Sequence, residues 1–244
     1  MCVIMQPTYL PWMGYFDLID QSTIFVLLDN VQFAKRSWQQ RNRIRTAKGL
    51  EWLTVPIKVK GLYLQRIDQV TIVPDESFPR KHLRALEFNY STARHFHTYW
   101  PGLRHILSAG DTSLAELNIR IVRWMADEMG IAARFQVATR MPVEGKRSEL
   151  LVDICRKVGA ETYLSPIGSS DYLAEDQGVF RDNGIRVLLH NYEHPTYSQV
   201  FEPFIPYASA IDLLFNEGGN ALDIIRSGRR RSFSLEDFIE GRSL

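Results

Sequence analysis

The stretch CVIMQPTYLPWMGYFDLIDQSTIFVLLDNVQFAKRSWQQRNRI, from Cys2 to Ile44, decides the fold. It contains two short apolar runs, Val3–Met5 and Ile24–Leu28, in which apolar residues are continuous rather than alternating. Such runs are typical of strands that are covered on both faces in a parallel sheet. A loop and a short helix near Gly14–Asp20 separate the two runs, so the stretch predicts a β–loop–α–β unit.

The last third of the chain returns to the same rhythm. Ser148–Val158 has the spacing of an amphipathic helix, and Gly159 stops it. Further strands are predicted at Arg134–Ala138, Thr162–Leu164 and Ile185–Leu189. Together with the opening unit they predict an α/β fold with a mostly parallel, five-stranded, Rossmann-like sheet.

The residues from about 41 to 130 are predicted to be a hairpin and helical insert within a single domain spanning residues 1–244. Arg41–Lys60 alternates polar and apolar residues on both sides of the turn Ala47-Lys48-Gly49, which predicts a hairpin. Gln65–Val73 is expected to add a strand. Helices are predicted at Phe78–Asn89, His95–Leu107 and Ser113–Met129, the last with Asp111 or Thr112 as its N-cap.

Composition excludes several classes of protein. A net charge of +1 over 244 residues predicts no binding to DNA through a global positive field. Only two cysteines are present and no apolar segment approaches the ~18 residues of a membrane span, so a reduced, cytoplasmic protein without membrane insertion is expected. The six histidines and two cysteines lack metal-ligand spacing, and no metal site is predicted.

Ligands of open α/β sheets bind outside the carboxyl ends of the strands, and the first apolar run ends in the loop Gln6–Tyr15. The two prolines fix the loop backbone, and Gly14 at the helix start is expected to free amide donors for an anion. The aromatic and amide side chains suit a base or a sugar, although they are equally compatible with a core. The candidates are Gln6, Tyr9, Trp12, Gly14 and Tyr15.

A second candidate segment, Asp29–Arg43, follows the second run. It combines cations, amides and a tryptophan in a density that is unusual for an ordinary connection. Arginine forks bind phosphate or carboxylate, and Asp29 is a candidate catalytic residue that positions an amine or a ribose hydroxyl. A solvated face is the alternative interpretation. The candidate ligand contacts are Gln32, Lys35, Arg36, Trp38, Arg41, Asn42 and Arg43.

Two later segments also follow predicted strands. Ser165–Ser170 is either a phosphate cradle, with Ser165 and Ser169 as contacts, or an N-cap turn. In the segment after the last predicted strand, His194 precedes a proline and is the best candidate for a general base, with a structural role as the alternative. Tyr197, Gln199 and Asn216 are its expected neighbours in the site. All four segments are expected to line one cleft.

These motifs resemble the WbqC-like family over nearly the whole chain. The resemblance rests on QPTYLPWMGYFDLI, DNVQF-KRSWQQRNRI, WLTVPI, YLSPIGSSDYL and HPTYSQVFEPFIPYASAIDLLFNEG. It implies a role in bacterial surface-polysaccharide (O-antigen, lipopolysaccharide) synthesis, as a transferase that aminoacylates, for example glycylates, a nucleotide-linked amino sugar.

The opening is also similar, more weakly, to the nucleotidylyl-transferase superfamily, with pantothenate synthetase as the nearest comparison. That group has His-x-Gly-His where this chain has Trp12-Met13-Gly14-Tyr15, so both histidines of that motif, which the resemblance ties to adenylate chemistry, are absent from this chain.

Three functions therefore compete. The first is an enzyme that N-acylates a nucleotide-linked amino sugar, with His194 accepting the amine proton. The second is a nucleotidylyl transferase that acts on similar substrates. The third is a non-catalytic accessory protein that binds nucleotide sugars or glycans. No cofactor is indicated by the sequence, and ATP would enter only if the reaction is a ligation.

Overall fold

The computed structural model describes residues 1–62, 64–74 and 77–242. Its strands, in chain order, are β1 (Cys2–Met5), β2 (Ile24–Leu27), β3 (Arg41–Thr46), β4 (Gly49–Thr54), β5 (Arg134–Val137), β6 (Thr162–Pro166), β7 (Arg186–His190) and β8 (Phe233–Ser234). Among the described residues, six strands form the main sheet in the order β5-β2-β1-β6-β7-β8. The first five of these pair in parallel, and β8 pairs antiparallel with β7.

The fold is therefore α/β with a mostly parallel six-stranded sheet. The sequence predicted five strands and missed the sixth, β8. The five parallel strands lie at the predicted positions. No apolar run marks β8, because this edge strand is only the two residues Phe233 and Ser234.

Alternate residues of the parallel strands enter different cores. Val3 and Phe25 pack into one hydrophobic cluster, whereas Cys2 and Ile24, their neighbours along the strands, pack into a second. Since successive side chains of a strand point to opposite faces, the sheet is buried on both sides. This burial explains why its strands read as continuous apolar runs.

The helices surround the sheet and fill the insert. They are α1 (Met13–Gln21), α2 (Arg80–Tyr90), α3 (Phe96–Ser108), α4 (Leu114–Glu128), α5 (Ser148–Lys157), α6 (Ser170–Glu175), α7 (Gln177–Asp182), α8 (Ala210–Glu217), α9 (Ala221–Ser227) and α10 (Leu235–Arg242). The cap of α4 is Ser113, whose side chain accepts a hydrogen bond from the backbone N–H of Glu116, rather than Asp111 or Thr112.

The insert between β2 and β5 contains the predicted hairpin. Strands β3 and β4 pair antiparallel from Arg41↔Thr54 to Thr46↔Gly49. The φ of +114° at Gly49, directly after the turn, is one that L-residues rarely adopt. Ile44 of the hairpin belongs to the same hydrophobic cluster as Val3 of the main sheet, so the insert and the sheet share a core.

The continuous strand expected at Gln65–Val73 does not form; Arg66 and Ile72 make isolated antiparallel bridges, to Gln32 and Ile57, on either side of a turn. Ile67–Gln69 forms a 3-10 turn, in which the backbone N–H of Gln69 donates to the carbonyl of Arg66. The side-chain amide oxygen of Gln69 accepts from the N–H of Arg66 and closes the turn. The local hydrogen bonds of this glutamine thus replace a strand ladder.

The strand order reverses between β1 and β6. Successive strands β1, β2 and β5 extend in one direction across the sheet, and β6 and β7 extend in the other. In open α/β sheets, ligands bind at the carboxyl ends of the strands beside such a reversal. Over the described parts of the chain, no helix is both long and apolar enough to cross a membrane.

Candidate functional site

Two adjoining cavities lie at the carboxyl edge of the sheet. The first, the switch-point cavity, has a volume of about 280 Å³. It lies where the strand order reverses, and its lining is Ile4, Met5, Gln6, Thr8, Leu28, Ser37, Trp38, Gln39, Leu151, Tyr163, Pro166, Ser169 and Tyr172. The second, the aromatic cavity, has a volume of about 230 Å³ and is lined by Met5, Thr8, Pro11, Trp12, Tyr15, Trp38, Asn42, Arg43 and Tyr207.

The two cavities share a wall of Met5, Thr8 and Trp38. Ligand pockets usually enclose roughly 300–1,000 Å³, a range that the two cavities reach together. They bring together seven of the residues predicted from the sequence, from three of the four segments: Gln6, Trp12, Tyr15, Trp38, Asn42, Arg43 and Ser169.

Two amides meet at the switch-point cavity. The side chain of Gln39 donates from Nε2 to Oε1 of Gln6 over 2.5 Å, which joins the loop after β1 to the segment before the hairpin. A Gln39 oxygen also accepts from the backbone N–H of Ala34. The pair therefore holds the mouth of this cavity in one arrangement.

Trp12 forms a wall of the aromatic cavity, and Gly14 makes room for its ring. A Cβ atom on Gly14 would lie 2.3 Å from Cη2 of Trp12, so only glycine permits this packing. The indole therefore lies over the start of α1, where free amide donors for an anion were expected. The role expected for Gly14 is therefore corrected: its missing side chain leaves room for the ring of Trp12.

Asn42 and Tyr15 line the aromatic cavity, but their polar atoms are engaged within the protein. Asn42 is buried and donates from Nδ2 to the carbonyls of Leu10 and Tyr9, over 2.7 and 3.2 Å. The hydroxyl of Tyr15 donates to the carbonyl of Gln6 over 3.0 Å, and burial raises the pKa of Tyr15. Both residues fix the shape of the cavity.

Arg43 presents a positive charge at the aromatic cavity. Its guanidinium lies 5.6 Å from the ring centre of Trp38 and 5.5 Å from that of Trp52. Within the described residues it forms no salt bridge, and its buried Nε has no hydrogen-bond partner. A cation without a protein counter-charge beside a cavity is suited to an anionic ligand.

The positively charged aromatic surface around Arg43 continues onto the hairpin through Trp38, Trp52 and Arg41. Trp52 lies directly opposite Arg43 in the hairpin, and its ring centre is 5.4 Å from that of Trp38. The guanidinium of Arg41 lies 4.2 Å from the Trp52 ring centre. Arg41 is thus beside the cleft but outside the lining of both cavities.

Comparison with known proteins identifies the family. The model of the WbqC-like protein family matches residues 6–224. The chain belongs to this family. It is also 38% identical over 229 residues, which are 93% of this chain and 98% of the relative, to the uncharacterized protein Rv1507c of Mycobacterium tuberculosis (strain ATCC 25618 / H37Rv). No solved structure gives a significant match.

In this WbqC-like protein, His194 lies one layer behind the aromatic cavity. Its ring stacks on Trp12 with centroids 6.2 Å apart. Nδ1 donates to the carbonyl of Pro195 over 2.8 Å, and Nε2 accepts from the backbone N–H of Tyr207 over 3.1 Å. Burial lowers the pKa of His194. Because both nitrogens are engaged, the expected free imidazole is absent, and His194 fixes the loop that carries Tyr207.

Asp29 joins two strand ends instead of facing a ligand. Its carboxylate accepts from the backbone N–H of Thr139 over 2.9 Å and from the Thr139 hydroxyl over 2.6 Å. Asp29 is 2% exposed and lies outside the lining of both cavities. The role expected for Asp29 is therefore corrected to a link between the end of β2 and the residues after β5.

Two further candidates lie in the core. Tyr9 is fully buried, and its hydroxyl is 2.7 Å from Nδ1 of His82. Burial raises the pKa of Tyr9. Ser165 is also fully buried, at the end of β6, whereas Ser169 reaches the switch-point cavity. The structure thus separates the two serines that were expected to act together.

Tyr197, Gln199 and Asn216 surround a buried carboxylate, Asp212, rather than the cleft. The Tyr197 hydroxyl and the Gln199 amide donate to Oδ2 of Asp212 over 2.6 and 2.9 Å. Asn216 donates to the backbone carbonyl of Asp212 over 2.7 Å. Burial raises the pKa of Asp212. This cluster anchors α8 to the preceding loop, which explains its polarity without a ligand.

The remaining candidates of the second segment are at the surface. Gln32, Lys35 and Arg36 are exposed and lie outside both cavity linings. Gln32 bridges to Arg66, and the backbone N–H of Arg36 donates to the side chain of Gln40. For these three residues the structure favours the alternative interpretation, in which they belong to a solvated face of the protein.

Sequence reasoning missed Trp52, Tyr207 and Thr8. The signal for Trp52 was present: Leu53 and Val55 are buried, so a period of two places Trp52 on the outer face of the hairpin. Tyr207 enters the site only through the folding of a long loop, for which the sequence carries no local pattern.

A buried polar network beside α1 was also missed. His190, at the end of β7, lies 2.7 Å from the carboxylate of the fully buried Asp17 through Nε2. Arg229 donates to the other oxygen of Asp17, so the network ties α1 to the end of β7 and to the residues after α9. The structure shows no described group of three or more His, Cys, Asp or Glu residues that could hold a metal.

Proposed function

We propose that this WbqC-like protein binds a nucleotide-linked amino sugar in the two cavities at the carboxyl edge of the sheet. One observation carries the proposal: the guanidinium of Arg43, which has no salt bridge within the described residues, borders a cavity that adjoins a second one at the strand-order reversal. A nucleoside diphosphate sugar has the matching parts, which are a ring, two phosphates and a second ring.

The expected orientation follows from the chemistry of the walls. The diphosphate would bind Arg43, since a guanidinium pairs with phosphate through two parallel hydrogen bonds. The sugar would occupy the adjoining cavities, where the indole of Trp12 offers an apolar face and the amides of Gln6 and Gln39 offer donors and acceptors.

The proposed reaction is N-acylation of the sugar amine, in the cytoplasm and for surface-polysaccharide synthesis. The amine nitrogen attacks the carbonyl carbon of an activated acyl donor, the C–N bond forms, and the leaving group departs as the nitrogen gives up a proton. Support for the reaction comes from the resemblance of the motifs rather than from a catalytic geometry. His194 and Asp29, the two bases first expected, lie outside the lining of both cavities, so the proposal assigns the proton to no residue.

A second candidate function, a non-catalytic protein that binds nucleotide sugars, is favoured by the hydrogen bonds that engage both expected bases. His194 has both nitrogens in hydrogen bonds, and Asp29 has both oxygens in hydrogen bonds to Thr139. A protein that binds the nucleotide sugar for a neighbouring acyltransferase needs no base. Nucleotidylyl transfer has less support, because the expected histidine positions are Trp12 and Tyr15, whose rings wall the cavity.

Thermal unfolding with a panel of nucleotides tests the proposal. UDP-glucosamine and its thymidine counterpart should raise the melting temperature, because a ligand that binds only the folded state stabilises it by mass action. Incubation of the same complexes with ATP and glycine should then release AMP or pyrophosphate if the protein is a ligase. Binding without turnover would support the accessory role, and a panel without any shift would contradict both.

A further inference from the structure

Four planar side chains form a continuous surface beside the aromatic cavity, here called the indole–guanidinium platform: Trp38, Arg41, Arg43 and Trp52. The two indole planes are tilted by 37°. The Arg41 guanidinium lies over the ring of Trp52, and the Arg43 guanidinium lies within 5.6 Å of the ring centres of both tryptophans. Arg43 and Trp38 also line the aromatic cavity, so the platform is continuous with the proposed ligand site.

The platform leaves a large aromatic area in solvent. Trp38 is 49% exposed and Trp52 is 44% exposed. Large apolar side chains are normally placed where water is excluded, and here the hairpin already buries Leu53 on its other face. The exposed ring surface of the pair is therefore not accounted for by the packing of the hairpin.

The charge of the platform is also uncompensated. Among the salt bridges of the described residues, none involves Arg41 or Arg43, and the buried Nε atom of each has no hydrogen-bond partner. The two arginines, both on β3, stack on Trp52 of the opposite strand β4, and this stacking holds their donors in a fixed place. Flat aromatic surface beside fixed positive charge matches a ligand that is itself flat and anionic.

We infer that the indole–guanidinium platform is the nucleobase subsite of the cleft, with the base stacked on Trp52 and the diphosphate extending to Arg43. This inference rests on the proposed function and adds the part of the ligand that lies outside both cavities. Stacking of a base on an aromatic side chain tolerates different bases, because every base has a π-face. The subsite therefore recognises a nucleotide as a class, either that of a nucleotide sugar or that of ATP.

The test compares ligands with and without a base. Calorimetric titrations with UDP, dTDP, ATP and pyrophosphate are made with the wild-type protein, Trp52→Ala, Trp52→Phe and Phe88→Ala. Phe88 is 86% exposed on α2 and serves as the control for removing a surface ring. Trp52→Ala should weaken binding of the nucleotides by roughly 5- to 150-fold, the range that corresponds to about 1–3 kcal/mol for base stacking.

Binding of pyrophosphate should be unchanged in Trp52→Ala, and Trp52→Phe should keep most of the nucleotide affinity. Comparison of UDP and dTDP with ATP shows which nucleotide the subsite serves. Equal nucleotide affinity of Trp52→Ala and wild type would overturn the subsite alone, as would a parallel loss of pyrophosphate binding, which would mean that Trp52 only positions Arg43. If wild type binds pyrophosphate but no nucleotide, the subsite and the proposed function both fail.

Discussion

At the scale of single residues, His82 is a group whose environment makes the stability of the fold depend on pH. It is 6% exposed, with Nδ1 next to the Tyr9 hydroxyl and Nε2 3.2 Å from the carbonyl of Thr54. Since a carbonyl only accepts, Nε2 carries the proton and Nδ1 accepts from Tyr9. Burial lowers the pKa of His82 from 6.5 to about 4.

A depressed histidine pKa means that the unfolded chain binds the proton more tightly. The stability from neutral His82 is then fully present above about pH 6.5 and is lost as the pH falls toward about 4, by an amount of about 3 kcal/mol. Urea unfolding at several pH values should show this slope in wild type and a flatter one in His82→Asn. His97→Asn, at an exposed position, is the control. Parallel slopes for wild type and His82→Asn would refute the assignment.

The residue scale is also where prediction from sequence reached its limit. The composition around Trp38 and Arg43 indicated a site, and both residues line a cavity. His194 was singled out for its chemistry, but whether an imidazole has a free lone pair depends on a backbone N–H thirteen residues away, at Tyr207. No local pattern carries that information. Asp29 is a similar case, because its partner Thr139 is distant in sequence.

At the scale of secondary-structure elements, the link between Asp29 and Thr139 holds the end of β2 to the segment after β5. The hydroxyl of Thr139 donates to a carboxylate that is 2% exposed. Thr139→Val should destabilise the protein by about 1.5–3 kcal/mol, because a hydrogen bond to a buried charged group is lost. Thr139→Ser keeps the hydroxyl and should retain most of the stability. Urea midpoints measure both, with m-values unchanged if only stability differs. Equal midpoints for Thr139→Val and wild type would show that the hydroxyl bond of this link is dispensable.

Elements with a strong pattern were predicted and elements built by local hydrogen bonds were not. The five parallel strands appear as apolar runs because both faces of the sheet are covered. The hairpin was predicted from alternation about Gly49. Residues 65–73 contain apolar residues at irregular spacing, and the Gln69 side chain decides their turn. A pattern of apolar residues cannot reveal that choice.

At the scale of the whole molecule, the order of the strands positions the candidate site. The reversal between β1 and β6 places the loops after β1, β2 and β6 around the switch-point cavity, and the insert brings Trp38 and Arg43 to the same edge. The two cavities lie at the carboxyl edge of the sheet, where the sequence predicted a site. The division into two cavities and the placement of Tyr207 in the wall of one of them required the packed chain.

Arg43 offers the most direct measurement of the central claim, that this cleft binds a nucleotide-linked amino sugar. The affinity for UDP-glucosamine should be measured by titration calorimetry for wild type, Arg43→Gln and Arg104→Gln. Arg104 is an exposed arginine of α3, and its substitution makes the same change in net charge away from the cleft. The account predicts that Arg43→Gln weakens binding by about 1.5–3 kcal/mol, the usual loss for a hydrogen bond to a charged group, while Arg104→Gln binds as wild type does. Equal affinities of all three proteins, or no binding by wild type, would contradict the account.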